Sequence, residues 1–314
     1  MEILTKFKNL AELTTYFADD QSCREYLELM RWNGSPVCPH CSNSEVYKFS
    51  DGKSYKCKAC RKKFTVTIGT IFEDTHIGLR KWFMAIYIFT SHKKGISSVQ
   101  LGKDLGITQK SAWHLLHRIR HAFGITEPET LEGEVEIDET YIGGKAKNMH
   151  KKARAKKIQG RGASGKTAVL GMVERNGRIY VKPVQSTDSQ TLQTAIKERV
   201  EAGSQIFTDE FSSYRGLEGD YSHETINHGI GNYVNGNIHT NGIESHWSML
   251  KRGIYGIYHQ VSEKHLHRYC TEFGYRHNTR KSNEVDRFDS ALTFCDGRLM
   301  YKTLIGKESE AKTQ

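Results

Sequence analysis

Apolar residues recur along this chain in two rhythms, and the change of rhythm divides it. Up to about residue 124 the period is helical. In Asp20–Trp32, Cys23, Tyr26, Leu27 and Met30 share one face, and Asp20 or Ser22 can cap the start. Leu79–Ser91 is an apolar-periodic helix. Val99, Leu101 and Leu105 fit a short helix, Gly106 a turn, and Thr108 the cap of a second helix whose inner face is Ala112, Leu115, Leu116 and Ile119. From Glu132 the pattern turns to strands. Glu134–Tyr141 sets Val135 and Ile137 on one face and Glu134, Glu136 and Asp138 on the other. Thr167–Glu174 reads as a buried strand, Asn176-Gly177 as a hairpin turn and Arg178–Val184 as the return. Asp188–Glu201 is an amphipathic helix with Leu192, Ala195, Ile196 and Val200 inward, and Gln205–Asp209 is a strand ending in a carboxylate. Asn241–Arg252 is a helix with Ile243, Trp247 and Leu250 on its core side and Glu244, Ser248 and Lys251 opposite.

Two cysteine pairs interrupt the helical half: Cys38-Pro-His-Cys41 and Cys57-Lys-Ala-Cys60, with fifteen residues between them. This is the spacing of a four-thiolate zinc site, each pair on a tight turn that aims two sulfurs at one ion. Val46–Phe49 alternates, Asp51-Gly52 is a turn, and Lys62–Ile68 continues as a further strand, so the segment reads as a zinc ribbon. Four thiolates fill the coordination sphere, which makes one structural Zn2+ the expectation; the alternatives are unrelated pairs or a redox-active CxxC. His40 is then a solvated turn residue, and Cys23, Cys270 and Cys295 are ordinary thiols in a reducing compartment.

Composition narrows the class. A length of 314 residues suggests about two domains, and 37% hydrophobic residues are enough for a sizeable core despite a mean hydropathy of −0.61. The longest apolar run, Trp82–Phe89, is eight residues, so no membrane span is expected; nor does MEILTKFKNL carry the apolar region of a secretory signal. Forty-six Lys and Arg against 36 acids leave a formal charge of +10, which points to a polyanion such as nucleic acid. The helix pair around Gly106 fits that partner as a helix-turn-helix, with Gln109, Lys110, Ser111 and His114 at the start of the second helix facing base edges; an ordinary helical hairpin is the alternative. Lys145–Lys166 adds nine Lys or Arg and no acid, and its glycines imply mobility. Lys151, Lys152, Lys156 and Lys157 are candidates for phosphate contacts, as are Lys251 and Arg252; a solubilising loop is the plainer reading.

Strand, hairpin, helix, strand, helix is the order of a ribonuclease H-like fold. It would bring Asp138, Asp209 and Glu244 to one sheet edge. Three converging carboxylates suit two Mg2+ or Mn2+ ions, held about 3.5–4 Å apart over a phosphodiester. Each has a duller reading: Asp138 lies among acids on a strand face, Glu210 competes with Asp209, and Glu244 follows Asn241 at capping-box spacing.

Taken together the motifs resemble bacterial insertion-sequence transposases of the DDE type with an N-terminal zinc ribbon. The match runs from about Asp20 to about Arg280. It is carried by the CPHC and CKAC knuckles, Gly69–Thr75, Leu79-Arg-Lys-Trp82, Lys94-Gly-Ile96 and Leu101–Gly106. Further pieces are Trp113–Arg120, Val135–Gly144, Gly160-Arg-Gly162, Lys166–Val169, Gly171-Met-Val173 and Thr208-Asp-Glu210, then His239–Glu244, Trp247-Ser248, Leu250–Gly253 and Tyr258-His259. The resemblance implies Asp138, Asp209 and Glu244 as the catalytic triad. It also implies strand cleavage at terminal inverted repeats to leave a 3′-hydroxyl, attack of that hydroxyl on target DNA, and no covalent protein–DNA intermediate. Double-stranded DNA would be the partner, at least a homodimer would pair two ends, and the setting would be cytoplasmic at the nucleoid. The expected architecture is multidomain α/β: an N-terminal helical segment (1–35), zinc ribbon (36–72), helix-turn-helix (79–124), mixed-sheet ribonuclease H-like catalytic domain (130–285) and C-terminal tail (286–314), disordered after Lys307. The alternatives are a zinc-ribbon and helix-turn-helix regulator, or a non-transposing nuclease on the same fold.

Overall fold

Caps and turn residues set where the elements begin and end in the computed structural model, which describes residues 7–124, 130–144, 150–151, 154, 165–226 and 239–306. The chain divides into two compact units, 1–126 with 281–314, and 127–280. In the first, helix α1 (Leu10–Tyr16) is capped by Asn9 and α2 (Asp20–Trp32) by Asp19, one residue before the expected cap. Asp19 and Ser22 close a reciprocal capping box. Asp20 instead accepts the Arg80 N–H at 2.8 Å. Strands β1 (Val46–Lys48), β2 (Ser54–Cys57) and β3 (Lys63–Thr65) form an antiparallel sheet, its last strand shorter than the expected 62–68. Helix α3 (Leu79–Ser91) is buried along most of its length.

Helices α4 (Ser98–Leu105) and α5 (Gln109–Phe123) are capped by Ser97 and Thr108 and joined through Gly106, whose φ of +60° suits a residue without a side chain. Gly102 lets the turn close: a Cβ there would stand 3.0 Å from the Ile107 carbonyl. Leu101 and Leu105 are buried as expected, but Val99 points to solvent. Helix α4 spans two turns, and residue 99 lies off the face that 101 and 105 share.

The second unit is a five-stranded mixed sheet. Its elements run β4 (Glu134–Ile142), β5 (Thr167–Glu174), β6 (Ile179–Val184), α6 (Ser189–Lys197), β7 (Gln205–Asp209), β8 (Ser222–Ile226), α7 (Asn241–Gly253) and α8 (Glu263–Asn278). The spatial order is β6-β5-β4-β7-β8, with β4, β5 and β6 antiparallel and β7 and β8 parallel to β4. Leu192, Ala195 and Ile196 of α6 join Val135, Ile137, Leu170 and Met172 in one core. Ile243, Trp247 and Leu250 of α7 join Val169, Val173 and Phe273 in the other. Strand β8 (SHETI) carries no apolar alternation, which is why the pattern does not announce it.

The segment from 286 onward is not a free tail. Helix α9 (Glu284–Thr293) and the single turn α10 (Tyr301–Leu304) belong to the first unit. Phe288 is fully buried, its ring 5.5 Å from Phe7, 6.1 Å from Phe17 and 5.4 Å from Phe83. The Tyr26 hydroxyl donates to Asp289 at 2.5 Å, and Asp296 pairs with Arg31 at 3.0 Å. Residues 307–314 lie outside the described residues. Phe288→Ala should therefore destabilise the N-terminal unit by about 3–5 kcal/mol. An unchanged melting temperature on differential scanning calorimetry would remove α9 from this core.

Candidate functional site

The zinc ribbon is built by two matching knuckles. The Cys38 N–H donates to the Asn43 carbonyl at 2.9 Å and the Cys57 N–H to the Lys62 carbonyl at 3.1 Å. A left-handed residue follows each second cysteine, Ser42 (φ +57°) and Arg61 (φ +63°). All four sulfurs lie within 4.8 Å of one another, with Cys38–Cys60 at 3.7 Å and Cys41–Cys57 at 3.6 Å. A zinc tetrahedron with bonds near 2.3 Å has sulfur–sulfur edges of about 3.8 Å, so Cys38, Cys41, Cys57 and Cys60 fit a structural zinc. His40 is exposed, as a turn residue should be.

The candidate carboxylates start from strand register. On the parallel pair, Glu134 faces Gln205 and Glu136 faces Phe207, an offset of 71 residues. That pairing ends at Glu136 and Phe207, two residues before Asp138 and Asp209 on their strands. The two carboxylates interact: burial first, then the charges of Glu139 and Asp209, push the Asp138 carboxyl up to about 7, against a Trp247 hydrogen bond that lowers it. Asp209 accepts the Phe211 N–H at 2.9 Å and is half-buried, whereas Glu210 is exposed. Glu139, on the other strand face, accepts from the Tyr214 hydroxyl at 2.6 Å. Burial, and next Asp209, raise its carboxyl too, although the Tyr214 bond opposes the shift.

Helix α7 brings the third candidate. Glu244 is exposed in its first turn, one turn before Trp247, whose indole N–H donates to Asp138 at 2.8 Å. The helix can sit this low because Asp138 pairs across the sheet with Gly171. A Cβ at Gly171 would stand 2.5 Å from the Trp247 ring and 2.7 Å from Ile243. The N-cap is Thr240, without a side-chain cap bond, so Glu244 falls outside the capping-box position. That position is served from the sheet: buried Glu136 accepts the Ile243 N–H at 3.1 Å and the Arg175 Nε–H at 3.2 Å, while the His239 ring lies 3.1 Å away. Arg175 stacks over Phe207 at 3.9 Å. Among the described residues the four cysteines are the one group of three or more ligand atoms within 4.8 Å; Asp138, Asp209 and Glu244 do not close to that spacing.

The DNA-facing candidates divide. Gln109 and Lys110 are exposed at the start of α5, Gln109 donating to Ser98 at 2.9 Å and Lys110 lying 4.9 Å from the Tyr301 ring. The other two candidates have partners within the chain. Ser111 is taken up by the cap, its N–H and hydroxyl both bonded to Thr108 at 3.2 and 2.9 Å. His114 is half-buried and packs on Tyr301, ring centroids 5.4 Å apart, and burial pushes its imidazole down to about 4. Lys151 is exposed; Lys152, Lys156 and Lys157 lie outside the described residues. Lys251 is half-buried, and exposed Arg252 donates to the Ser248 carbonyl at 3.1 Å.

Sequence reasoning missed Arg175 and Tyr214, and it placed Trp247 in the core without its donor role. A signal for them was present: Glu134, Glu136 and Asp138 line one strand face, and buried carboxylates need donors. Two measurements follow. Complete removal of zinc by a chelator should unfold β1–β3 and lower the melting temperature; an unchanged melt would rule out a structural ion. The Asp138 carboxyl is raised from 3.8 to about 7. The metal-free fold thus has its full contribution below the unfolded value and loses it as pH rises through the folded one, by on the order of 2–4 kcal/mol. Asp138→Asn should remove that slope from the pH dependence of urea stability, and a wild-type slope in the variant would refute the assignment.

Comparison with known proteins agrees with these features. Residues 130–278 match the family model described as an ISXO2-like transposase domain, and residues 18–63 match a transposase zinc-ribbon domain. A protein of Halobacterium salinarum, described as uncharacterized and lying in transposable element ISH50, is 29% identical over 272 residues, 83% of this chain and 91% of its own. An uncharacterized transposase-like protein of Haemophilus influenzae is 30% identical over 102 residues, 32% of this chain and 81% of its own. A cryo-electron microscopy structure of a simian T-cell lymphotropic virus intasome with a PP2A regulatory subunit aligns over 70% of this chain and 68% of that one at 14% identity, with a TM-score of 0.24 that carries no weight. A zinc ribbon followed by a mixed-sheet domain, each matching a transposase family model, identifies the chain as a member of the insertion-sequence transposases with an N-terminal zinc ribbon.

Proposed function

We propose that this protein is the enzyme that moves its insertion sequence, binding the element's terminal inverted repeats and carrying out divalent-metal-dependent DNA strand cleavage and strand transfer. The observation that carries the reading is a partly buried Asp138 carboxyl whose charged neighbours, Glu139 and Asp209, are both acids, on a sheet in which β4 pairs parallel with β7. The sheet order, with its first three strands antiparallel and the next two parallel to the first, supports a ribonuclease H-like assignment. An oxygen-rich, partly buried acidic group fits hard divalent cations. Asp138 and Asp209 would hold Mg2+ or Mn2+ between them, with Glu244 supplying a further carboxylate from α7. When bound, two such ions supply charge stabilisation to the attacking and leaving oxygens of an in-line displacement.

The chain's own side chains do the positioning. Trp247 fixes one oxygen of Asp138, and the Phe211 N–H fixes one oxygen of Asp209. Glu136, anchored by Arg175, grips the N-terminal turn that carries Glu244. Lys251 and Arg252 lie two turns further along α7, and with Lys151 they would contact phosphates. Gln109 and Lys110 would meet the duplex in the major groove. Two element ends must be held at once, so the working form is at least a dimer, acting in the cytoplasm at the nucleoid. No helix among the described residues is long and apolar enough to cross a membrane.

The test uses DNA carrying flanked element ends and a target plasmid, with Mg2+ or Mn2+. Asp138→Asn should lower strand cleavage at least about a hundredfold, since several kcal/mol of charge stabilisation is lost, and leave end binding within about twofold. Cleavage at the wild-type rate by the variant would refute the triad. Cleavage without any strand-transfer product would identify a plain nuclease, and end binding with no metal-dependent cleavage a regulator.

A further inference from the structure

The three-stranded ribbon has two faces, and only one of them is needed for its fold. On the inner face, Tyr55 stacks on Phe64 at 5.5 Å, Trp32 meets Tyr55 edge-on at 5.2 Å, and buried Cys57 joins them. The outer face should by this logic be polar, yet it carries two aromatic rings. Tyr47 is 53% exposed and Phe49 37% exposed. Register aligns Tyr47, Lys56 and Lys63 across β1, β2 and β3 on that face. The Lys58 ammonium stands 5.2 Å from the Tyr47 ring and that of Lys63 4.9 Å from Phe49. From residue 45 to residue 63 there are seven Lys or Arg and two acids.

We infer that this outer face is a docking surface for an unpaired DNA strand, with Tyr47 and Phe49 stacking on bases and Lys56, Lys58 and Lys63 engaging phosphates. The occupant follows from chemistry. An apolar protein partner would have to strip water from three ammonium groups, which is costly. A polyanion is attracted by the same groups. Within nucleic acids, a duplex keeps its base faces stacked inside the helix, so exposed rings on a sheet meet π-faces only where bases are unpaired. Phe49 follows Tyr47 by two residues, just past the end of β1, and an extended backbone spaces such residues by about 6.8 Å, so each ring can take its own base. The inference rests on the transposase reading above, because strand cleavage and transfer are what expose unpaired strands.

Fluorescence anisotropy on the full-length, zinc-loaded protein tests it, with labelled oligo-dT and a labelled duplex element end as separate probes. Tyr47 and Phe49 lie outside the core, so Y47A/F49A should keep its zinc and its melting temperature. It should lose about thirtyfold or more in oligo-dT affinity, the loss of two stacking contacts, with duplex affinity within about twofold. Y47F/F49Y, which retains both rings, should bind like wild type. Neutralising Lys56, Lys58 and Lys63 to Gln should reduce the slope of log affinity against log salt for oligo-dT by about 2. Unchanged oligo-dT affinity in Y47A/F49A overturns the docking surface, as does wild-type protein that binds the duplex but not oligo-dT; in both cases the transposase reading stands. Wild-type protein that binds neither probe overturns both.

Discussion

The indole N–H of Trp247 reaches Asp138 because the residue beside Asp138 on the next strand is Gly171. Any side chain at 171 would occupy the space now filled by the Trp247 ring and Ile243. One missing methyl group thus sets how low α7 lies on β4 and β5. The height of that helix determines where Glu244 stands relative to the sheet carboxylates. The dependence runs one way, since Trp247 can be packed without its hydrogen bond, but the bond cannot form with the helix held higher.

A second constraint fixes the same helix end. Glu136 is buried beneath the first turn of α7, with Arg175 stacked on Phe207 beside it. A buried ion pair is weak evidence for net stability, because desolvation offsets much of the attraction. Losing one partner is another matter and typically costs about 3–5 kcal/mol. The pair therefore specifies position more than it stabilises. It obliges the N-terminal turn of α7 to present its Ile243 amide to the sheet, and Gly242 leaves room for the carboxylate, whose oxygen would lie 2.7 Å from a Cβ. Alternation along β4 then delivers Asp138 two residues later, on the same face and under Trp247.

Much of this was legible in the chain because the signals were local. Alternation gave β4 its faces, cysteine spacing predicted the zinc knuckles, and Thr108 with Gly106 marked the helix pair. What was not legible needed partners distant in sequence. Arg175 reads as a turn-proximal cation until Glu136 is beneath it, and Tyr214 as an aromatic in a loop until it meets Glu139. The C-terminal segment is the clearest case. Nothing within residues 284–304 says that Phe288 enters a cluster built from Phe7, Phe17 and Phe83. Its own helical period shows only that some partner is required.

That returning segment also changes what α5 can do. Of the cationic and imidazole side chains on α5, Lys110 alone is fully exposed. His117, Arg118 and Arg120 are buried, Arg118 lying 5.3 Å from the Trp82 ring. His114 is covered by Tyr301 and, held near 4, stays neutral around pH 7. A helix attracts DNA only with the charges it leaves in water, so the basic composition of α5 overstates its electrostatic pull. Other exposed cations of the first unit are spread over it: Lys48, Lys53, Lys58, Arg61, Lys62 and Lys63 on the ribbon, and Arg80, Lys81, Lys93, Lys94 and Lys103 on or beside the helices. Long-range attraction of this unit to a polyanion would then be shared between the ribbon and these other cations, with α5 adding little beyond Lys110.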